Sequence, residues 1–443
     1  MPVELPLSLE KQEELLDTYG SPLYLYDGNM IAENSKMFLE TFRKYYPDFK
    51  QYFAVKATPN KHILQILKDT GMGFDCSSTT ELDMVLPISN DILYSSNYTS
   101  VEDLCKVLKT NVIINLDDID GLINLKEASE ITQIKLPELI CFRLNPYMGI
   151  TSSETISNIL GGPDTKFGIP YNKIIDAYKS SQKMGFTRFG IHVMTGSCIL
   201  DIDYFKRLVD TVFVSISHIH KELGINFDFI DLGGGIGIPY KPDEETIDLD
   251  KLASTIAKAV NDNTKKYGLS HMSIYMENGR YITGPYGWLL SRCKSIKIGY
   301  NDSKFYGLDA CMVNLMRPGM YGAYHHITVP RLNKTIMDDE EVINNISSIC
   351  KNEYVNVVGS LCENNDWFAK QRLLPKDIQK EDIFIIHDVG AHGYCMGFQY
   401  NGKLRSAEVL IGEKDKKKYV GLIREKEYIC FESVKDIDFI YYE

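Results

Sequence analysis

The chain has 443 residues, 44% of them apolar and 24% charged, with a formal net charge of −12. That length exceeds one ordinary core and implies two domains or a barrel with an appendage, while the acidic balance disfavours nucleic acid and anionic membrane surfaces as partners. No apolar run has bilayer-spanning length, and the opening MPVELPLSLEKQEELLDTYG carries acids where a signal peptide needs bases, so the expected location is cytoplasmic, without membrane association.

Taken from the N-terminus, SPLYLYD (21–27) reads as a strand that joins the C-terminal part of the molecule. Then short runs rich in Val, Ile, Tyr and Phe alternate with amphipathic stretches of helical length: YFAVKA (52–57), MGFDCSS (72–78), ILYSSN (92–97), VIINLDD (112–118), LICFRLNP (139–146), FGIHVMTG (189–196), FDFIDLGGG (227–235) and SIYMENGR (273–280). Eight such runs, ending in polar, Gly or Asn residues, predict an α/β domain, a (β/α)₈ TIM-type barrel over 30–290. Beyond about residue 290 come WLLSRCKSIKIGY, KFYGLDAC, EYVNVVGSLCENND, DIFIIHDVGAHGY and EYICFES, strands without regular helices between them. They predict a β-rich domain, sandwich- or barrel-like, from 291–443 together with 1–29, packed tightly on the barrel. The ten cysteines show no Cys-x-x-Cys pair and no zinc-type histidine spacing, so buried reduced thiols and no metal are expected.

In such a barrel the reactive groups gather at the C-terminal ends of the strands, which brings Lys56, Asp75, Arg143, His192, Asp231 and Glu277 together as candidates. Lys56 ends an apolar run. Strand-end lysines are ordinarily solvated, but one held in a cavity has its pKa lowered by desolvation and becomes a nucleophile toward a carbonyl. The segment DLGGGIGIPY (231–240) sets Gly233, Gly234, Gly235 and Gly237 just after a strand, where bare amides can approach a phosphate. It lacks the G-x-G-x-x-G helix opening of a dinucleotide site, and a plain barrel turn is the alternative. Glu277 and Arg280 in MENGR read either as a surface ion pair or as a carboxylate facing a cofactor ring nitrogen.

YFAVKATPN, GFDCSSTTEL, FRLNP, the glycine triplet, ENGR, LMRPGMYGAYHHI, CENNDWFAKQRLLP and DVGAHGYCMGFQYNGKLRSAEVL, in that order from about 22 to 411, resemble the pyridoxal-phosphate decarboxylases of the alanine-racemase-like fold, diaminopimelate decarboxylases above all. The resemblance implies pyridoxal 5'-phosphate as cofactor, with Lys56 as its covalent anchor and Asp75 among the residues around it. It assigns Ser197, Gly234, Gly235, Gly279 and Arg280 to the phosphate and Glu277 to the pyridine nitrogen. Arg280, Arg317 and Tyr321 would clamp a distal substrate carboxylate, Glu363 would accept the distal ammonium, and Cys362 would donate a proton across a homodimer interface. The implied reaction is conversion of meso-2,6-diaminopimelate to L-lysine and CO₂. The chain departs from the pattern in four places, one of them CENND, where Cys-Glu-Ser-Gly-Asp is usual and Cys362, Glu363 and Asp366 are retained. Met194 stands where a ring-stacking histidine is usual, Asn278 replaces a proline, and His392 replaces a tyrosine that contacts cofactor or substrate, bringing an imidazole expected to titrate near neutrality. Decarboxylases of ornithine, lysine, arginine or carboxynorspermidine are the nearest alternatives, and their substrates lack part or all of the distal amino-acid head. A non-catalytic pyridoxal-phosphate carrier would resemble the barrel alone, and a Schiff-base aldolase would leave the C-terminal motifs unexplained.

Overall fold

The computed structural model describes residues 2–148, 150–151, 160–333 and 352–428. After strand β1 (Leu23–Asp27), the eight apolar runs form β2 (Phe49–Ala54), β3 (Gly73–Cys76), β4 (Ile92–Ser96), β5 (Ile113–Leu116), β6 (Leu139–Asn145), β7 (Arg188–His192), β8 (Phe229–Asp231) and β9 (Ser273–Met276). Each is parallel to the next, and β9 pairs with β2, with Ile274 opposite Phe49, so the sheet closes on itself as an eight-stranded barrel. Helices cover its outside, among them Ile202–Leu223 and Leu249–Tyr267, each ending at a left-handed glycine, Gly224 and Gly268. Helix Gly28–Tyr45 starts where Asp27 accepts the amides of Asn29 and Met30, and it buries Ile31, Ser35, Phe38, Leu39 and Phe42 along one stripe.

The second sheet continues with β10 (Gly287–Ile298), β11 (Lys304–Leu308), β12 (Asn352–Val358), β13 (Trp367–Pro375), β14 (Ile383–Ile386), β15 (Ala407–Lys414) and β16 (Lys417–Arg424). Its order is β13-β12-β11-β10-β1-β15-β16, with β14 on β10. The N-terminal SPLYLYD segment therefore lies in the middle of this sheet. Alternation along β1 serves both faces. Leu23 and Leu25 enter a small core with Trp288, Leu290, Ile385 and Val409, roofed by Leu15 and Leu16 of helix Leu9–Tyr19, while Tyr24 and Tyr26 turn into the core shared with the barrel. Their hydroxyls are satisfied there, Tyr24 donating to Asn314 O (2.7 Å) and Tyr26 to Glu408 Oε1 (2.7 Å). The EYICFES strand expected at 427–433 lies outside the described residues apart from Glu427 and Tyr428, which form no strand. The eight cysteines that are described are all free thiols; only Cys362 is exposed.

Candidate active site

The candidate residues converge at the C-terminal end of the barrel. Lys56 sits in a single 3₁₀ turn, Val55–Ala57, immediately after β2. Its Nζ lies 3.2 Å from Asp75 Oδ2 at the end of β3 and 3.2 Å from Ser77 Oγ. Asp75 is fully buried, whereas the lysine side chain is 49% exposed because it projects into the open mouth. Desolvation pulls the ammonium's pKa down as expected from the sequence, but the charges of Asp75, Glu277 and Glu81 outweigh it, and the net shift is upward. The expectation of a lowered lysine pKa is thereby corrected. Burial and the charge of Glu277 push the Asp75 carboxyl the other way, up to about 7 despite Lys56. Glu81 went unnoticed in the sequence. Its signal is the Ser78-x-x-Glu81 helix start, where Ser78 Oγ accepts the Glu81 amide (3.2 Å) and Glu81 Oε2 accepts the Ser77 amide (2.7 Å).

Beneath the lysine, the ends of β7, β8 and β9 bring His192, Asp231 and Glu277 so close that their ligand-type atoms lie within 4.8 Å of one another. Crowded buried acids cannot all ionise. Burial and the neighbouring Glu277 drive the Asp231 carboxyl well above its ordinary range, so it keeps its proton. Burial raises Glu277 too, but His192, Lys56 and Arg143 together hold it below its ordinary value as the carboxylate. His192 Nε2 is 3.2 Å from Glu277 Oε2, and Glu277 Oε1 is buried without a partner. Arg143 is tied to Asp117 Oδ1 (3.5 Å) and to the carbonyl of Met194 (3.2 Å).

The glycine-rich segment forms a turn against these groups. A Cβ on Gly234 would stand 2.6 Å from the carbonyl oxygen of Glu277; Gly235 has φ +100° and would place a Cβ 2.8 Å from Gly196 O. Larger residues are excluded at both positions. Asn278 supplies by hydrogen bonds what a proline would supply by stiffness: its Oδ1 accepts the Ile236 amide (3.2 Å) and its Nδ2 donates to Gln51 Oε1 (3.2 Å), stitching the turn to β2. Met194 approaches the same turn, its sulfur accepting the Gly234 amide at 3.3 Å. Arg280, buried at the start of helix Arg280–Thr283, donates from Nη2 to Ser197 Oγ (3.3 Å) and from Nη1 to Tyr240 Oη (2.5 Å), while its Nε is buried without a partner.

The second sheet's connections roof the mouth. Arg317 and Tyr321 lie on helix Arg317–Tyr321, and the Arg317 guanidinium packs over the Tyr240 ring, 5.2 Å from its centroid. His392 is pinned by donation of its amide to Ala57 O (2.9 Å), beside Lys56. Burial, then Arg280, Arg317 and Lys56, depress its pKa well below the ordinary imidazole range, so it stays neutral. That corrects the expectation of a titration near neutrality. Tyr240 and His325, like Glu81, border the site without having been singled out in the sequence. By contrast, Cys362 and Glu363 stand exposed on the β12–β13 turn, which Asp366 holds by accepting the amides of Met312 (2.6 Å) and Leu361 (2.8 Å). Among the described residues, no hydrogen bond or ion pair joins either side chain to Lys56, Glu277 or Arg280.

Tested against a pyridoxal phosphate group, the site offers an amine, a buried carboxylate with one unpartnered oxygen, and bare backbone at the glycine turn that any Cβ would fill. These fit the group's aldehyde, ring nitrogen and phosphate. The family model described as the pyridoxal-binding domain of pyridoxal-dependent decarboxylases matches residues 34–284. Diaminopimelate decarboxylase of Methanothermobacter thermautotrophicus is 37% identical, with 94% of this chain and 91% of that protein covered. Protein TabA of Pseudomonas amygdali pv. tabaci is 36% identical, with coverages of 90% and 88%. Among solved structures, diaminopimelate decarboxylase from M. jannaschii in co-complex with L-lysine is 29% identical and superposes with a TM-score of 0.79, covering 94% of this chain and 92% of its own.

Proposed function

The chain belongs to the pyridoxal-dependent decarboxylase family, and from that premise we propose that it decarboxylates meso-2,6-diaminopimelate to L-lysine and CO₂. Bound pyridoxal phosphate supplies an electron sink for the pair left on Cα when CO₂ departs. On this reading Lys56 Nζ is the covalent anchor, and Asp75, at 3.2 Å and with its pKa near neutrality, takes the proton that the ammonium must lose before it can react. Glu277, held as the carboxylate, would accept the ring N–H. The backbone at Gly234, Gly235 and Gly279, with Ser197 and Arg280, would hold the phosphate. Neutral His392 offers one donor and one acceptor to phosphate or substrate.

The observation that carries the substrate assignment is the pair Arg280 and Arg317. Among the described residues neither guanidinium has a carboxylate within ion-pair distance, although both border the mouth that holds Lys56 and His392. The cofactor's phosphate would answer part of the Arg280 charge, and the second cation, Arg317, calls for an anionic group on the ligand beyond the carboxylate that is lost. Ornithine, lysine and arginine bring no such second carboxylate. Cys362 and Glu363, exposed on their turn, are read as contributions to the partner's site in a cytoplasmic homodimer, Cys362 as proton donor to Cα and Glu363 as acceptor for the distal ammonium. The test is CO₂ release from a panel of diamino acids by the cofactor-loaded protein. Release from ornithine or lysine with none from diaminopimelate would overturn the assignment.

A further inference from the structure

We propose that Tyr240 is a positioning residue for substrate specificity: its hydroxyl and ring fix Arg280 and Arg317 as one paired receptor for the carboxylate at the far end of the substrate. The inference rests on the substrate reading above.

Two guanidiniums sharing a buried site repel each other, and without a structural carboxylate between them each would swing toward solvent. Tyr240 stands between them instead. Its hydroxyl is the acceptor for Arg280 Nη1, and its ring lies 5.6 Å from the guanidinium carbon of Arg280 and 5.2 Å from that of Arg317. The ring quadrupole attracts both cations, and does so most strongly where water is excluded; Tyr240 is 8% exposed. The ring is itself braced edge-on against His325, 5.1 Å between centroids at 71°.

His325 completes the frame. Its Nδ1 lies 2.8 Å from the carbonyl of His387, an acceptor only, which puts the proton on Nδ1 and leaves Nε2 to accept the Arg317 Nε–H at 3.3 Å. Burial and then Arg317 keep this imidazole neutral, as that acceptor role requires. Tyr240 is anchored in turn from its own segment, because Glu244 Oε2 accepts the amides of Tyr240 (2.9 Å) and Lys241 (3.2 Å). Arg317 is thus oriented by a hydrogen bond to His325, Arg280 by hydrogen bonds to Tyr240 and Ser197, and both by a shared aromatic face.

Arg280 reaches Ser197 through Nη2 and Tyr240 through Nη1. Removing the hydroxyl should therefore loosen the substrate-facing half of Arg280 and spare the half on the cofactor side. In Tyr240→Phe holoenzyme the KM for meso-diaminopimelate is expected to rise on the order of tenfold or more, as for loss of a hydrogen bond to a charged group, with kcat nearly unchanged. Inhibition by L-lysine, which keeps the far-end carboxylate, should weaken by a similar factor. Inhibition by 1,5-diaminopentane, which has none, and the affinity for pyridoxal phosphate should both stay as in the parent. Tyr240→Leu, lacking the ring as well, should weaken lysine inhibition further while retaining the visible absorption of bound cofactor. Unchanged KM and lysine inhibition in both variants would overturn the proposal, as would a loss confined to cofactor affinity, which would place Tyr240 in the phosphate site. Failure of the parent enzyme to release CO₂ from diaminopimelate would refute the substrate reading itself, before any variant is compared.

Discussion

Replacing His192 with leucine removes the one donor to Glu277 Oε2 while keeping the buried site filled. The variant carboxylate would then have lost its imidazole partner and be left beside the protonated Asp231, deep in the barrel. A hydrogen bond to a charged group contributes about 1.5–3 kcal/mol, which at about 1.4 kcal/mol per decade corresponds to a loss of roughly 10- to 150-fold. The carboxyl of Glu277 now lies below its ordinary 4.5, so its ionised form stabilises the fold above that value and the contribution is lost as pH falls through the lower folded value. Without His192 the strongest influence opposing burial is gone, and the carboxyl is held less firmly in the charged form that, on the proposed reading, meets the cofactor ring nitrogen. The assay is titration of apoprotein with pyridoxal phosphate at pH 8, read by visible absorption and repeated for His192→Gln, which keeps a donor. The leucine variant should bind roughly 10- to 100-fold more weakly, within the loss just derived, and the glutamine variant much closer to the parent. Equal affinities and spectra for all three proteins would refute the electrostatic role assigned to His192.

Lys56→Ala should bind the cofactor without the visible band of the covalently held form; an unchanged spectrum would reject Lys56 as anchor. In the apoprotein, a raised Asp75 pKa means stability that is fully present below about 3.8 and lost as pH rises through about 7. Asp75→Asn should therefore flatten the dependence of the denaturant midpoint between those values, by a few kcal/mol at about 1.4 kcal/mol per pKa unit, and parallel curves would count against the burial argument. Gly234→Ala sets a Cβ 2.6 Å from the backbone oxygen of Glu277, and overpacking of that kind costs about 1–3 kcal/mol. Cofactor affinity measured by titration should fall by at least tenfold. Cys362→Ala should lower turnover and leave cofactor affinity intact, since the thiol is exposed on the β12–β13 turn; normal turnover would remove it from the mechanism.

What the sequence determined by itself is the frame and the identity of the chemistry. Strand and helix periodicities are local properties, so eight alternating runs and their polar ends already placed Lys56, Asp75, Arg143, His192, Asp231 and Glu277 at one rim. Local signals were weaker in β13 and in the β15–β16 hairpin, where exposed lysines and half-buried arginines dilute the apolar alternation, and those strands were not anticipated. Electrostatics could be settled only by the tertiary structure, because Coulomb terms depend on groups far apart in the chain. Asp75 and Glu277 turn the lysine's shift upward against its own desolvation, and Arg280 and Arg317 hold His392 neutral. The same holds for Tyr240, an unremarked residue at the end of a glycine turn until folding sets it between two guanidiniums brought from separate segments.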